Sequence, residues 1–346
     1  MFDLSQIPSP IGLTREEILD LLLSEEYGYP PSGERRFRVE EISRDRGFSA
    51  GKANLVKLAF TMEGEFGSYT FPLYEVIPEK EGKHPAFLHI NFRDSNPDKY
   101  QHTEEIVDNG FAIFTFCYKD VTSDDGDFTN GLAGVLYKDG KRAERDGGKI
   151  ALWAWTASFV MDYIQTKDAI DSRRISVTGH SRLGKTALLA GALDPRFYCA
   201  ISNDSGCSGA AISRNKGGES VQFICKTFPY WFNEHYPIYS QREDTLPFDQ
   251  HFLLAANAPH RVYIASAELD DWACPRNEYL SARLASAYYE SQGLAGLVSE
   301  DEEAVLHKGY HDGNIAYHLR AGTHYFSRTD WLYQMDYLKK AFENDK

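Results

Sequence analysis

The sequence predicts an α/β fold with a mostly parallel central sheet, helices on both faces and antiparallel leading strands. Three observations carry this. Continuous apolar strand segments such as PAFLHINF, GFAIFTFCY and RVYIAS alternate with helical segments, the arrangement of strands buried on both faces. Two β-rich segments, NLVKLAFTME and SYTFPLYEVIP, come one after the other, as an antiparallel pair does. The 346 residues are 42% hydrophobic and 25% charged, the balance of a globular chain long enough for one large α/β domain or two small ones.

In order, TREEILDLLLSEEYG opens with Thr14 and carries Glu17 three residues on, a capping box that starts an N-terminal helix. Residues 1–50 read as a helical and extended decoration, and residues 51–346 as the catalytic domain. After the antiparallel pair come strand PAFLHINF, strand GFAIFTFCY, helix IALWAWTASFVMDYIQ, strand RRISVTG, helix KTALLAGAL and strand YCAISN. An excursion of about residues 205–250 follows and shapes a pocket rim. Strand RVYIAS, helix RNEYLSARLASAYYESQG, strand IAYHLR and helix DWLYQMDYLKKAF close the chain. This order suits an α/β hydrolase, in whose sheets ligands bind at the carboxyl ends of strands.

Composition excludes several partners. A net charge of −14 argues against nucleic acid, which needs a basic face, and no basic run suggests a membrane surface. No window approaches twenty apolar residues. The start MFDLSQIPSPIG lacks the basic and apolar parts of a signal peptide, so the chain as written is expected in the cytoplasm, or secreted if a leader was removed. Five cysteines, Cys117, Cys199, Cys207, Cys225 and Cys274, show no C-x-x-C spacing. Reduced thiols and no metal are expected.

The stretch VTGHSRLGK places Arg182 and Lys185 at the start of a helix. Each cation there opposes the helix dipole by roughly 0.3–1 kcal/mol, so something else wants the charge. Ser181 lies on a strand-to-helix turn, the setting of a nucleophile elbow. Gly179 meets the first position of G-x-S-x-G, whereas Leu183 holds the last and glycine is delayed to Gly184. An ordinary N-cap serine is the alternative. Other polar residues follow strands in the order an α/β hydrolase uses, nucleophile, acid, then histidine. Asp204 follows YCAISN; Glu268, Asp270 and Asp271 follow RVYIAS; His324 follows IAYHLR. His324 stands where a base reaches Ser181, while His318 lies inside its strand. Asp204 and Asp270 remain alternatives for the acid.

These segments, with ISNDSGCSGAAISR, FPYWF, REDTLPFDQH, YIASAELDDWACPR and YHLRAGTHYF, closely resemble the glucuronoyl esterases, carbohydrate esterase family 15, and the bacterial members more than the fungal. The resemblance spans about residues 80–340, and the family's elbow, G-[CH]-S-R-x-G-K, accommodates Leu183 and Gly184. It implies an α/β hydrolase, without metal or organic cofactor, that cleaves esters between 4-O-methyl-glucuronate branches of xylan and a lignin alcohol. It also implies Ser181 as nucleophile, His324 as base, Arg182 as oxyanion stabiliser, Lys185 as a contact to sugar hydroxyls, Trp231 as a pocket wall and Glu219 as a further sugar contact. Where fungal members carry Glu after YCAISN, this chain has Asp204, one methylene shorter, which leaves room for Asp270; Asp270 is favoured. The expected partner is a small-molecule or oligosaccharide uronate ester. The competing readings are an acetyl-xylan or other carbohydrate esterase with the same triad, and a non-catalytic carbohydrate-binding protein.

Overall fold

The computed structural model describes residues 6–215 and 217–345. Its strands are β1 (Arg35–Asp45), β2 (Ala53–Gly64), β3 (Gly67–Pro78), β4 (His84–Asn91), β5 (Ala112–Cys117), β6 (Ile170–His180), β7 (Cys199–Asn203), β8 (Arg261–Ala267), β9 (Gly309–Tyr310) and β10 (Ile315–Arg320). All belong to one sheet in the order β1, β2, β3, β5, β4, β6, β7, β8, β10, β9. From β5 to β10 neighbours run parallel. The β1–β2–β3 meander, its junction with β5, and β9 are antiparallel.

Alternation along the central strands supplies two cores, because successive side chains point to opposite faces. Leu88 and Ile90 of β4, and Val262 and Ile264 of β8, enter the larger core. Phe87, Tyr263 and Ala265 enter the other, under Trp331, Met335 and Leu338 of the closing helix Arg328–Asn344. The helix Lys149–Ile164 is buried at every residue except Asp162, as befits a helix covered on all sides. One of its covers is the meander, where Phe37 stacks on Phe60 at 5.7 Å and meets Tyr163 edge-on at 5.8 Å.

The sequence reading contains neither the two-residue β9 nor the long edge strand β1. RRFRVEEISRD is exposed or half-exposed along its whole length, so it shows little of the apolar signal by which strands are read. Its strand character comes from pairing with β2 from Arg35↔Gly64 to Asp45↔Leu55, and its charges suit an edge. No described helix is long and apolar enough to cross a membrane. The five cysteines are free thiols, four of them buried.

The parallel strands deliver the polar residues to one rim. β6 ends at His180, with Ser181 next; β7 ends at Asn203, with Asp204 next; β8 precedes Asp270 by three residues, and β10 precedes His324 by four.

Candidate active site

A cleft of about 320 Å³ opens over this rim, lined by Ser181, Arg182, Lys185, Asp204, Glu219, Trp231 and His324 together with Phe223, Phe228 and Trp272. A larger hollow of about 550 Å³ lies between the helix Pro275–Ser291 and residues 302–304; of the polar residues that follow strands, Glu268 lines this hollow and not the cleft.

The elbow follows from steric demands of the local sequence. Ser181 adopts φ 57°, ψ −127°, a conformation that costs a non-glycine residue about 1–3 kcal/mol and persists only when its surroundings fix it. Its N–H donates to Asn203 O at 2.8 Å, and its carbonyl accepts from Gly184 N at 2.8 Å and Lys185 N at 3.2 Å. A Cβ on Gly179 would stand 2.2 Å from the Leu183 carbonyl oxygen, so strand and helix approach too closely for any side chain there. The delayed glycine has its own reason, since a Cβ on Gly184 would meet Ser202 Oγ and Ser205 Cβ at 3.0 Å. Gly184 thus packs the elbow helix (Arg182–Leu193) against the turn after β7.

Beside the elbow, His324 Nδ1 and Asp270 Oδ2 are 2.6 Å apart, with the imidazole 41% and the carboxylate 3% exposed. A proton on Nδ1 shared with the carboxylate leaves Nε2 as the free nitrogen. Burial opposes the Asp270 charge, but the His324 hydrogen bond, the charge of an imidazolium and the Ala273 N–H outweigh it and hold this carboxyl below its ordinary range. Under His324 lies His180, ring centroids 4.4 Å apart. Burial first, and then His324, push the pKa of His180 down to about 3. His180 is therefore a neutral platform, and it shares a short contact between its Nδ1 and Asn203 Oδ1, 2.6 Å.

Asp204 is close by but engaged elsewhere. One ligating atom each of Asp204, Asp270 and His324 lies within 4.8 Å of the others. Asp204 Oδ1 accepts from Ala267 N at 2.8 Å and Oδ2 from Arg320 Nη2 at 3.2 Å. Burial, then Asp330 and Glu278, raise its carboxyl well above the ordinary range against partial relief from Arg320.

Each cation of the elbow has its own carboxylate. Arg182 Nη1 donates to Asp124 Oδ2, and the guanidinium lies 4.6 Å from the centre of the Trp231 ring. Trp231 stacks on Phe228 at 4.0 Å and donates from Nε1 to Asp124 Oδ1 at 2.7 Å. Tyr118 OH also donates to Asp124 Oδ2, at 2.9 Å. Asp124 therefore holds together the guanidinium and the aromatic wall. Lys185 is almost fully buried, and its Nζ donates to Ser205 O at 2.6 Å, to Cys207 O and to Glu219 Oε2 at 3.4 Å. Three donors meet three acceptors, so Lys185 fixes both the turn after β7 and the Glu219 carboxylate.

All eight residues singled out from the sequence meet at this cleft, Asp270 from behind His324. Four contributing residues have no role in the sequence reading. Asp124 lies in the acidic loop TSDDGDF, where nothing local separates it from its neighbours. Arg320 reads as the last residue of a strand. Phe223 and Trp272, 40% and 49% exposed at the mouth and in edge contact at 4.8 Å, are marked by their exposure, which exists only in the fold, although Trp272 lies within YIASAELDDWACPR.

Comparison with known proteins gives a consistent result. Residues 63–293 match the family described as glucuronyl esterase, fungi. A carbohydrate esterase of an unknown prokaryotic organism is 33% identical over 357 residues, covering 92% of this chain and 82% of that protein. The 4-O-methyl-glucuronoyl methylesterase of Podospora anserina is 29% identical over 62% of this chain, which spans only 45% of that protein. Among solved structures, the glucuronoyl esterase of Solibacter usitatus superposes with a TM-score of 0.86 at 31% identity, over 95% of this chain and 92% of that one. A promiscuous CE15 esterase from a marine bacterial metagenome does so at 0.84 and 33%, over 95% and 91%.

Proposed function

This chain belongs to the glucuronoyl esterases, carbohydrate esterase family 15, and from that premise we propose that it hydrolyses esters of glucuronate or 4-O-methyl-glucuronate through an acyl-enzyme on Ser181. The observation that carries the reading is the 2.6 Å His324–Asp270 pair beside a serine held at positive φ in the same cleft.

Each residue has a physical task. A serine hydroxyl is a weak nucleophile until a base removes its proton. With Nδ1 committed to Asp270, His324 accepts that proton at Nε2, and Asp270 stabilises the imidazolium. As the ester carbonyl becomes tetrahedral, negative charge grows on its oxygen, and the Arg182 guanidinium and backbone N–H are the donors beside the nucleophile. Protonated His324 then gives its proton to the departing alcohol. A water activated by the same base releases the uronic acid and regenerates Ser181.

The pairing of the cations matters for turnover. The substrate is a neutral ester, whereas the product is a carboxylate. Bare Arg182 and Lys185 would bind the product best. With Asp124 on one and Glu219 on the other, little net charge is left to hold the carboxylate. Arg182 keeps further donors for the substrate, whereas those of Lys185 are taken up by the protein, so Lys185 acts through Glu219, which is placed to accept from sugar hydroxyls. Trp231, Phe228, Phe223 and Trp272 supply apolar faces of the kind that cover a sugar ring or an aromatic alcohol.

The test compares hydrolysis of benzyl glucuronate and 4-nitrophenyl acetate by the wild type and Ser181→Ala. Uronate-ester turnover that disappears with Ser181 supports the reading. Cleavage of the acetate alone would leave the serine chemistry standing and remove the glucuronoyl specificity.

A further inference from the structure

We propose that Arg320 is the positioning residue of the general base, its guanidinium serving as the core on which the His324 loop is wound. The proposal rests on His324 being the base.

Arg320 is 5% exposed, and every one of its five N–H donors is used. Nη1 donates to Ala321 O at 3.1 Å and Thr323 O at 3.3 Å. Nη2 donates to Tyr325 O and to Asp204 Oδ2. Nε donates to both oxygens of Asp330 at 2.8 Å. The carbonyls of 321, 323 and 325 thus converge on one planar group, and His324, held between two of these residues, is paired outward with Asp270. A lysine has three donors and no planar fork, so it cannot hold this turn.

The guanidinium is itself referenced to rigid structure. Asp330 is the third residue of the closing helix and completes its capping box with Ser327, and its Oδ1 also meets His318 Nε2 at 3.0 Å. At Gly322, φ 109°, any side chain would be strained, and its Cβ would stand 3.2 Å from Arg320 Nη1, so the guanidinium would have to give by a few tenths of an ångström. The same segment holds the acid in register, because Glu268 N donates to Arg320 O at 2.8 Å and Leu269 N to Gly322 O at 2.9 Å. One side chain therefore sets the base loop, and its main chain anchors the acid loop.

Arg320 also governs what faces the imidazole. Three groups do so from three strand ends, namely His180 at the end of β6, Asp204 after β7 and Asp270 after β8. With Asp204 turned to Arg320 and Ala267 N, Asp270 is the carboxylate in hydrogen-bond contact with the ring.

The experiment measures kcat, KM and the pH profile of kcat/KM on benzyl glucuronate for Arg320→Lys, Gly322→Ala and His324→Ala in the full chain, with circular dichroism to establish folding and titration of reactive sites. A base contributes about 10²–10⁴-fold, and for Arg320→Lys we expect kcat to fall by about thirtyfold or more with KM within about threefold. The acid limb should move down by about half a pH unit, because a looser Asp270 contact stabilises the imidazolium less. Gly322→Ala should shift both quantities in the same direction and less. Folded Arg320→Lys with kcat per reactive site and acid limb both unchanged overturns the proposal, including the case in which only the number of active molecules drops. If Arg320→Lys does not fold, Gly322→Ala decides by the same criterion. His324→Ala with wild-type kcat removes the base assignment and the Arg320 role with it, whereas inactive His324→Ala beside normal Arg320→Lys removes the Arg320 role alone.

Discussion

Asp204 and Asp270 follow neighbouring parallel strands, both are buried, and both come within reach of the same imidazole, yet they sit in opposite electrostatic conditions. Asp270 has one partner that gains from its charge, His324, and its carboxyl is held low. Asp204 shares a single guanidinium with Asp330, has Glu278 nearby, and its carboxyl is pushed up. Asp330 takes the two 2.8 Å contacts and the His318 contact, and its own carboxyl is held low despite burial. Position after a strand therefore does not by itself pair a carboxylate with the histidine; a hydrogen bond to it does, and in the proposed mechanism that singles out Asp270.

The largest test of this contrast is the pair Asp270→Asn and Asp204→Asn. Losing the carboxylate that fixes the tautomer of the base costs up to about 10⁴ in kcat in a comparable triad, so Asp270→Asn should lose about 10²–10⁴-fold. Asp204→Asn should lose less than about tenfold, and steady-state kinetics with the reverse order would invert the comparison.

Glu278 sharpens the contrast from the side of stability. It is fully buried, accepts from Gly206 N at 2.9 Å and from Ser266 Oγ at 2.5 Å, and no cation is paired with it among the described residues. Burial raises its pKa from 4.5 to about 7. A raised carboxyl contributes fully below 4.5 and loses stability as pH climbs from 4.5 to about 7, because the unfolded chain ionises first. Glu278→Gln removes this loss, so its stability relative to wild type should rise across that window by up to about 3 kcal/mol, at ~1.4 kcal/mol per unit. Urea unfolding at several pH values reads it, and a flat difference would show that Glu278 is ionised in the fold.

The oxyanion side carries a third version of the same logic. Asp124→Asn keeps the shape but removes the charge from a buried acceptor whose hydrogen bonds are worth about 1.5–3 kcal/mol each. We expect roughly tenfold lower kcat/KM and tighter inhibition by free glucuronate, since Arg182 is no longer neutralised. Inhibition constants equal to wild type would mean that the pair does not set product affinity. The smallest effect belongs to the mouth, where Trp272→Ala should raise KM about threefold for benzyl glucuronate with kcat nearly unchanged, in line with a modest aromatic contact.

Much of this was legible without coordinates. The alternation of apolar strands and helices gave the parallel sheet, Gly179 and the Ser181 turn gave the elbow, and the placement of Asp204, Asp270 and His324 after strands gave one rim. β1 was not legible, because an edge strand made of charged residues is specified by hydrogen bonds to β2 and not by hydrophobicity. The use of Lys185 was only partly legible, since its three acceptors come from the turn after β7 and from Glu219.

The sequence alone thus determined which chemical groups gather at the strand ends, because period and turn chemistry are local and survive in a single chain read in order. Only the tertiary structure decided which carboxylate answers which cation. Asp270 meets a histidine 54 residues away, Asp124 an arginine 58 away and Asp204 an arginine 116 away. Electrostatic partnership depends on separations of a few ångströms across different strands and loops, and no pattern along the chain encodes it.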